Sequence, residues 1–80
     1  MNVAQAVSKR IKELLVKNQM TLYRLEQKSG ILHGTMMGIM TGKNKNVTLR
    51  IVMLIAAGFD MKVVDFLSDE IFEDEKLELE

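Results

Sequence analysis

The chain has 80 residues, with neither cysteine nor proline, and its 11 basic and 11 acidic side chains give a formal net charge of zero at pH 7. This length predicts one domain with a small core, and the lack of cysteine excludes disulfides and thiolate metal sites. No apolar run approaches the roughly 20 residues of a membrane span, and the N-terminus lacks the apolar segment of a signal peptide, so we expect a cytoplasmic protein.

Charge is unevenly distributed along the chain. Residues 1–62 carry ten bases against three acids, a balance of +7, and residues 63–80 carry one base against eight acids, a balance of −7. A basic body followed by an acidic segment is typical of proteins that bind polyanions. We expect one domain over residues 1–72 and an acidic, frayed tail over residues 73–80, in which Leu79 and Glu80 resemble a cloning scar.

Apolar residues recur at helical spacing in five segments, at about 2–18, 21–29, 32–41, 48–57 and 61–70. Thr21 and Thr48 precede the second and fourth segments, where a hydroxyl can accept from the first backbone N–H groups of a helix. Gly30, Gly42 and Gly58 follow the second, third and fourth segments and predict their ends. The pattern therefore predicts an all-α domain.

Two short helices joined by a glycine turn, inside a five-helix domain, form a helix-turn-helix. IKELLVKNQMTLYRLEQKSGI, TMMGIMTGK and TLRIVMLIAAGFDMKVVDFL resemble successive parts of one family, the Cro/repressor-type or Xre-like helix-turn-helix domains. This resemblance covers about residues 11–67 and implies the compact five-helix fold of the lambda repressor DNA-binding domain. It also implies a sequence-specific, DNA-binding transcription regulator that acts as a two-fold dimer, with its third helix in the major groove.

The resemblance further assigns residues to a DNA-binding face. Base-facing positions fall on the third helix, and contacts to the DNA backbone come from the start of the second helix and from the KNKN loop at 43–46. Together with Thr35 and Asn44, which lie on the same helix and loop, the predicted DNA-binding residues are Thr21, Leu22, Leu32, His33, Gly34, Thr35, Met37, Gly38, Lys43, Asn44 and Lys45.

The chain departs from the family pattern at several positions. Leu22 stands where many members have a glutamine that touches the phosphate backbone, and Gly34 and Gly38 stand where others have long polar side chains. Glu26 occupies a place that usually holds an alanine packed close to the third helix. We therefore expect weak direct readout, with specificity supplied by few side chains and by DNA shape and half-site spacing.

Several of these residues have two interpretations. His33 can contact guanine or a phosphate, with neither favoured, and Met37 either touches a thymine methyl or is simply exposed. Gly34 and Gly38 each cost about 0.5–1 kcal/mol in a helix relative to alanine, which close approach to a groove floor or close packing against another element would explain. The loop lysines favour phosphate contact over an ordinary solvated loop.

The fourth helix is apolar nearly all round. The resemblance assigns part of it to the domain core, namely Leu49, Val52, Ile55, Ala56 and Phe59. The expected dimer interface uses its remaining apolar residues together with one from the C-terminal segment, namely Ile51, Met53, Leu54 and Phe72. Alternatively, the fifth helix and the chain ends cover this surface.

One histidine and no cysteine leave no nucleophile–base pair, so we expect no enzymatic activity, no cofactor and no metal. Double-stranded DNA and a second copy of the chain are the expected partners, with no membrane and no small-molecule substrate. The alternative function is a protein-interaction module on the same fold, such as an antitoxin or a phage-regulator accessory, whose reading face is idle. The +7 balance of residues 1–62 favours DNA.

Overall fold

The computed structural model describes residues 1–73 and 77–78, and within them the chain forms five α-helices and one short 3-10 turn. The α-helices, in chain order, are α1 (Val3–Lys17), α2 (Leu22–Ser29), α3 (His33–Met40), α4 (Leu49–Gly58) and α5 (Val63–Phe66), and the 3-10 turn spans Glu70–Phe72. The predicted all-α class is confirmed, and the first four helices lie within two residues of their predicted bounds.

The predicted extent of the fifth helix, residues 61–70, is wrong. After α5 ends at Phe66, Arg10 donates from Nε to the Phe66 carbonyl at 2.8 Å and from Nη2 to the Asp65 carbonyl at 3.0 Å. The Asp65 carbonyl also accepts from the Ser68 N–H at 3.3 Å, a bond to the third residue along the chain that tightens the last turn, while Arg10 satisfies the carbonyls left at the helix end. The Asp69 side chain instead accepts from the Ile71 N–H at 3.0 Å and starts the 3-10 turn.

Side chains cap the N-termini of α1, α2 and α4. The predicted caps Thr21 and Thr48 are confirmed, since each Oγ1 accepts from the backbone N–H three residues further along, at 3.1 and 3.2 Å. Asn2 Oδ1 accepts from the Gln5 N–H at 2.8 Å, and Gln5 Oε1 accepts from the Asn2 N–H at 2.9 Å. This reciprocal capping box fixes the start of α1.

The core lies between α1, α2, α3 and α4, and α5 closes it against α4. Its largest fully buried side chains are Phe66, Ile11, Leu25, Met36, Ile39, Ile55 and Val7. The packing pairs α2 with α4 and α1 with α3. As a result, α3 rests on α1 through one face and is free to present the opposite face.

Part of the prediction for α4 is wrong. Leu49, which was assigned to the core, is 64% exposed, because as the first residue of α4 it lies at the end of the buried stripe. Ile51 and Leu54, for which no place in the core was expected, are partly buried and pack against it, and Phe72 does the same. Val52, Ile55, Ala56 and Phe59 are buried as predicted.

Residues near the two chain ends lie side by side. The Glu78 N–H donates to the Met1 carbonyl at 3.0 Å, and Asn2 forms an isolated parallel β-bridge with Glu78. The predicted tail at 73–80 includes residues 74–76 and 79–80, which lie outside the described residues, so its fraying stays a prediction. No helix in the described part of the chain is long and apolar enough to span a membrane.

Candidate nucleic-acid interface

The turn between α2 and α3 has a fixed geometry. Gly30 adopts a left-handed conformation with φ of 75° and donates its N–H to the Glu26 carbonyl at 2.9 Å, as the predicted helix end requires. Ser29 Oγ accepts from the Ile31 N–H at 3.2 Å, and the Ile31 side chain is buried. These contacts set the direction in which α3 leaves α2.

One face of α3 is anchored in the domain and the other is open. Met36 and Ile39 are fully buried, and Ser8 Oγ on α1 donates to the Met40 carbonyl at 3.1 Å. Leu32, which precedes the helix, is 78% exposed. The first residues of α3 therefore stand on the surface of the domain while its remaining apolar side chains hold it in place.

His33, the first residue of α3, is paired with α2. Its Nδ1 lies 2.8 Å from Glu26 Oε2, with the His33 side chain 73% exposed and the Glu26 side chain 11% exposed. Glu26 on α2 thus contacts the first residue of α3 directly. Sequence reasoning noted Glu26 as a departure but missed this pairing, because the two residues lie seven apart across a turn.

The two glycines of α3 have different surroundings. A β-carbon on Gly34 would meet nothing within 4 Å, so this position is open. A β-carbon on Gly38 would lie 3.2 Å from Asn44 Cβ, and the Asn44 N–H donates to the Gly38 carbonyl at 2.9 Å. Close packing therefore explains Gly38, whereas Gly34 has room for close approach by another molecule.

Four other predicted contact residues are distributed between surface and core. Thr21 is exposed at the start of α2, while Leu22 is half-buried and packs against the core. Thr35 and Met37 on α3 are half-buried. Apart from the loop after α3, the exposed residues of the predicted face thus lie at the N-terminal end of α3 and at the N-cap of α2.

The loop after α3 returns towards that helix through Asn44. Lys43 and Lys45 on either side of Asn44 are exposed. Because the Asn44 backbone is hydrogen-bonded to Gly38, both lysines are tethered close to the C-terminal half of α3. This is the arrangement expected of side chains that contact phosphates beside a helix in a groove.

Two lysines that sequence reasoning did not assign to the interface lie near the same end of α3. Lys9 and Lys12 on α1 line a cleft together with Thr41 and Gly42, which follow α3. Both lysines are exposed. The packing of α1 against α3 brings them there, and the helical period of α1 alone does not show which partner its polar side faces.

One known protein family matches most of this chain. The sequence pattern of the Cro/C1-type HTH DNA-binding domain matches residues 10–71, which include α2, the turn, α3 and α4. The chain belongs to the Cro/C1-type HTH family. The predicted family is thus confirmed, and membership makes the chain a DNA-binding regulator. Neither the curated proteins nor the solved structures gave a match.

Two further basic residues of this Cro/C1-type domain are used inside the domain. Arg10 contacts the end of α5 and lies 3.5 Å from an oxygen of Asp69. Lys28 Nζ lies 2.6 Å from Asp60 Oδ2, which joins the end of α2 to the turn after α4. Among the residues that the structure describes, no salt bridge is formed by Lys9, Lys12, Lys43 or Lys45.

The outer face of α4 carries an exposed apolar pair in this Cro/C1-type domain. Leu49 is 64% exposed and Met53 is 52% exposed, and their spacing of four residues puts them on one side of the helix. Of the four residues predicted for a dimer interface, Met53 has the most accessible side chain, while Ile51, Leu54 and Phe72 are partly buried.

Proposed function

We propose that this domain binds specific duplex DNA sequences by laying the exposed N-terminal face of α3 into the major groove. The observation that carries the proposal is the contrast between Met36 and Ile39, which are fully buried, and His33 and Gly34, which stand open on the other side. A helix anchored in this way keeps a fixed face towards a groove that admits an α-helix.

Phosphate contacts are assigned to lysines on both sides of this face. Lys43 and Lys45 follow α3, and Lys9 and Lys12 lie beside its C-terminal end. Lysine ammonium groups neutralise phosphates and position a protein without selecting sequence. Positioning by lysines combined with few base contacts agrees with the expected weak direct readout.

Recognition of bases is assigned chiefly to His33, which is the exposed polar side chain at the start of α3. Gly34 allows the helix backbone to come close to the groove floor, and half-buried Met37 offers its exposed part to a thymine methyl. Because so few side chains contact bases, DNA shape and the spacing of half-sites supply the remaining specificity.

A second copy of the chain is the proposed occupant of the α4 surface. Leu49 and Met53 form its exposed part, with the accessible portions of Ile51, Leu54 and Phe72 around them. Two-fold pairing would place two copies of α3 in successive major grooves, about 34 Å apart on one side of the duplex. Dimerisation would thereby double a small set of contacts.

The DNA-binding proposal is tested by titrating the chain against a random-sequence duplex at several salt concentrations. We expect a log–log slope of several units, because phosphate neutralisation releases counterions. Lys43→Ala and Lys45→Ala should each lower the slope by roughly one unit and weaken binding uniformly across sequences. Lys62→Ala, an exposed lysine at the N-cap of α5, is the matched control and should change neither.

A flat salt dependence would instead favour the protein-interaction module, in which the α3 face does not contact DNA.

The dimer is tested separately by sedimentation of the chain and of Met53→Lys at micromolar concentration. We expect a dimer for the parent chain and a monomer for the variant. A clean monomer for the parent would remove the dimer while leaving the DNA-binding proposal intact.

A further inference from the structure

We infer that Glu26 is a positioning residue that decides which atom of His33 faces the DNA and what that atom offers. With Nδ1 held by the Glu26 carboxylate, the neutral imidazole presents a hydrogen-bond acceptor at Nε2. The base partner at this position is then an exocyclic amino group, that of adenine or cytosine. The reading role rests on the proposed function, whereas the orientation of the ring does not.

One nitrogen of the His33 ring contacts Glu26, and most of the rest of the side chain is exposed. His33 Nδ1 lies 2.8 Å from Glu26 Oε2, and the Glu26 side chain is only 11% exposed. The His33 side chain is 73% exposed, so its remaining ring atoms stand in solvent at the start of α3. A carboxylate recessed between two helices is therefore a fixed point from which the imidazole projects outward.

The chemistry of the pair assigns the proton. A carboxylate only accepts hydrogen bonds, so the Nδ1 atom that it contacts must carry the hydrogen. In a neutral imidazole one nitrogen is a donor and the other an acceptor, which leaves the lone pair on Nε2 of His33. A neighbour that contacts one ring nitrogen thus sets the role of the other.

The major-groove edges of the bases then separate into two groups. Adenine N6 and cytosine N4 are donors that can meet a lone pair on Nε2, whereas guanine N7 and O6 and thymine O4 are acceptors that cannot. For the neutral ring, this points away from the guanine contact that the sequence allowed for His33. In the neutral ring we expect a preference for adenine or cytosine of roughly fivefold to tenfold at this one position.

A purely structural role for the pair is the competing explanation. Glu26 and His33 would then clasp α2 to α3, and loss of the clasp would weaken binding equally for every sequence. The two roles predict changes in different measured quantities. A clasp changes stability or overall affinity, while a positioning role changes which base is preferred at one site.

The first test needs no DNA. Long-range ¹H–¹⁵N correlation spectra of the free chain report which imidazole nitrogen carries the hydrogen, at a pH where the same spectra show the neutral ring. We expect the hydrogen on Nδ1 in the parent chain and a mixture of tautomers in Glu26→Gln, whose amide can either donate to Nδ1 or accept from it. A hydrogen on Nε2 in the parent chain would overturn the inference.

The second test measures base preference. Duplexes selected from a random pool identify the half-site, and all four bases are then compared at each position for the parent chain, Glu26→Gln, His33→Ala and the double variant. We expect Glu26→Gln to lose the adenine or cytosine preference at a single position, with no further loss in the double variant. The positioning role would be overturned if His33→Ala changed the base preference while Glu26→Gln left it unchanged.

The two tests keep this inference separate from the proposed function. The spectra could place the hydrogen on Nδ1 while no duplex is bound in a salt-dependent way. The DNA-binding proposal and the base-reading role of His33 would then both fail, but the orientation of the His33 ring by Glu26 would be retained. If binding is specific but Glu26→Gln lowers affinity equally for all bases, the DNA-binding proposal stands and Glu26 is only a clasp. Thermal unfolding of each variant checks that it is folded.

Discussion

A β-carbon on Gly58 would lie 2.8 Å from Leu25 Cδ1, which brings the last residue of α4 against the centre of α2. The same β-carbon would lie 3.2 Å from Ser29 Cβ. Leu25 is fully buried, so its side chain has little freedom to move aside. The glycine thus permits the close approach of α4 to the helix that carries Glu26.

We predict that Gly58→Ala lowers the free energy of unfolding by about 1–3 kcal/mol, since an added methyl group in this packed contact forces side chains or helices to shift. Urea denaturation followed by circular dichroism measures the change. A stability equal to that of the parent chain would mean that α2 and α4 are packed less tightly than the Gly58–Leu25 distance indicates.

Gly34→Ala is the matched substitution at an open position and should act in the opposite direction on stability. Nothing lies within 4 Å of its β-carbon, so the helix should gain about 0.5–1 kcal/mol. Affinity for the selected duplex should nevertheless fall, because the methyl group would enter the space between α3 and the groove. Unchanged affinity in a fluorescence anisotropy titration would exclude close approach at Gly34.

Arg10→Met should lower the free energy of unfolding by about 1–3 kcal/mol, because it removes the donors to the carbonyls of Asp65 and Phe66 while keeping an apolar stem. The Arg10 guanidinium also lies 5.8 Å from the centre of the Phe66 ring. Lys17→Met, an exposed position in the last turn of α1, is the control and should cost little. Equal stability of the two variants in urea denaturation would contradict the role of Arg10.

Gln19→Gly should raise the free energy of unfolding by about 0.5–1 kcal/mol. Gln19 is exposed and has φ of 51°, a left-handed conformation that glycine adopts without the clash of a β-carbon. Asp60 has a similar φ of 57°, but its carboxylate lies 2.6 Å from Lys28 Nζ. Asp60→Gly should therefore gain less than Gln19→Gly, and thermal unfolding that ranked them the other way would contradict the strain at Gln19.

Local signals in the sequence were sufficient for the helices near the interface. Thr21, Thr48 and Gly30 act through hydrogen bonds and backbone conformations within a few residues, so their roles could be predicted from the chain alone. The end of α5 could not be predicted in this way. The carbonyls at that end are hydrogen-bonded by Arg10, which lies more than fifty residues away along the chain.

The candidate site shows the same division. Exposure of His33 and Lys43 followed from their positions at the start and end of a predicted helix. The contact between Glu26 and His33, and the packing of Asn44 on Gly38, required the angle between α2 and α3 and the path of the loop. Neither of these contacts is encoded by helical spacing.

The most direct test of α3 as the DNA-binding element is a map of backbone amide chemical shifts as the selected duplex is added to the ¹⁵N-labelled chain. We predict that the largest changes fall on residues 32–38 and 43–45, with smaller ones at Thr21. Changes confined to the exposed residues Leu49, Met53 and Val64 on α4 and α5, with residues 32–38 unaffected, would contradict the account.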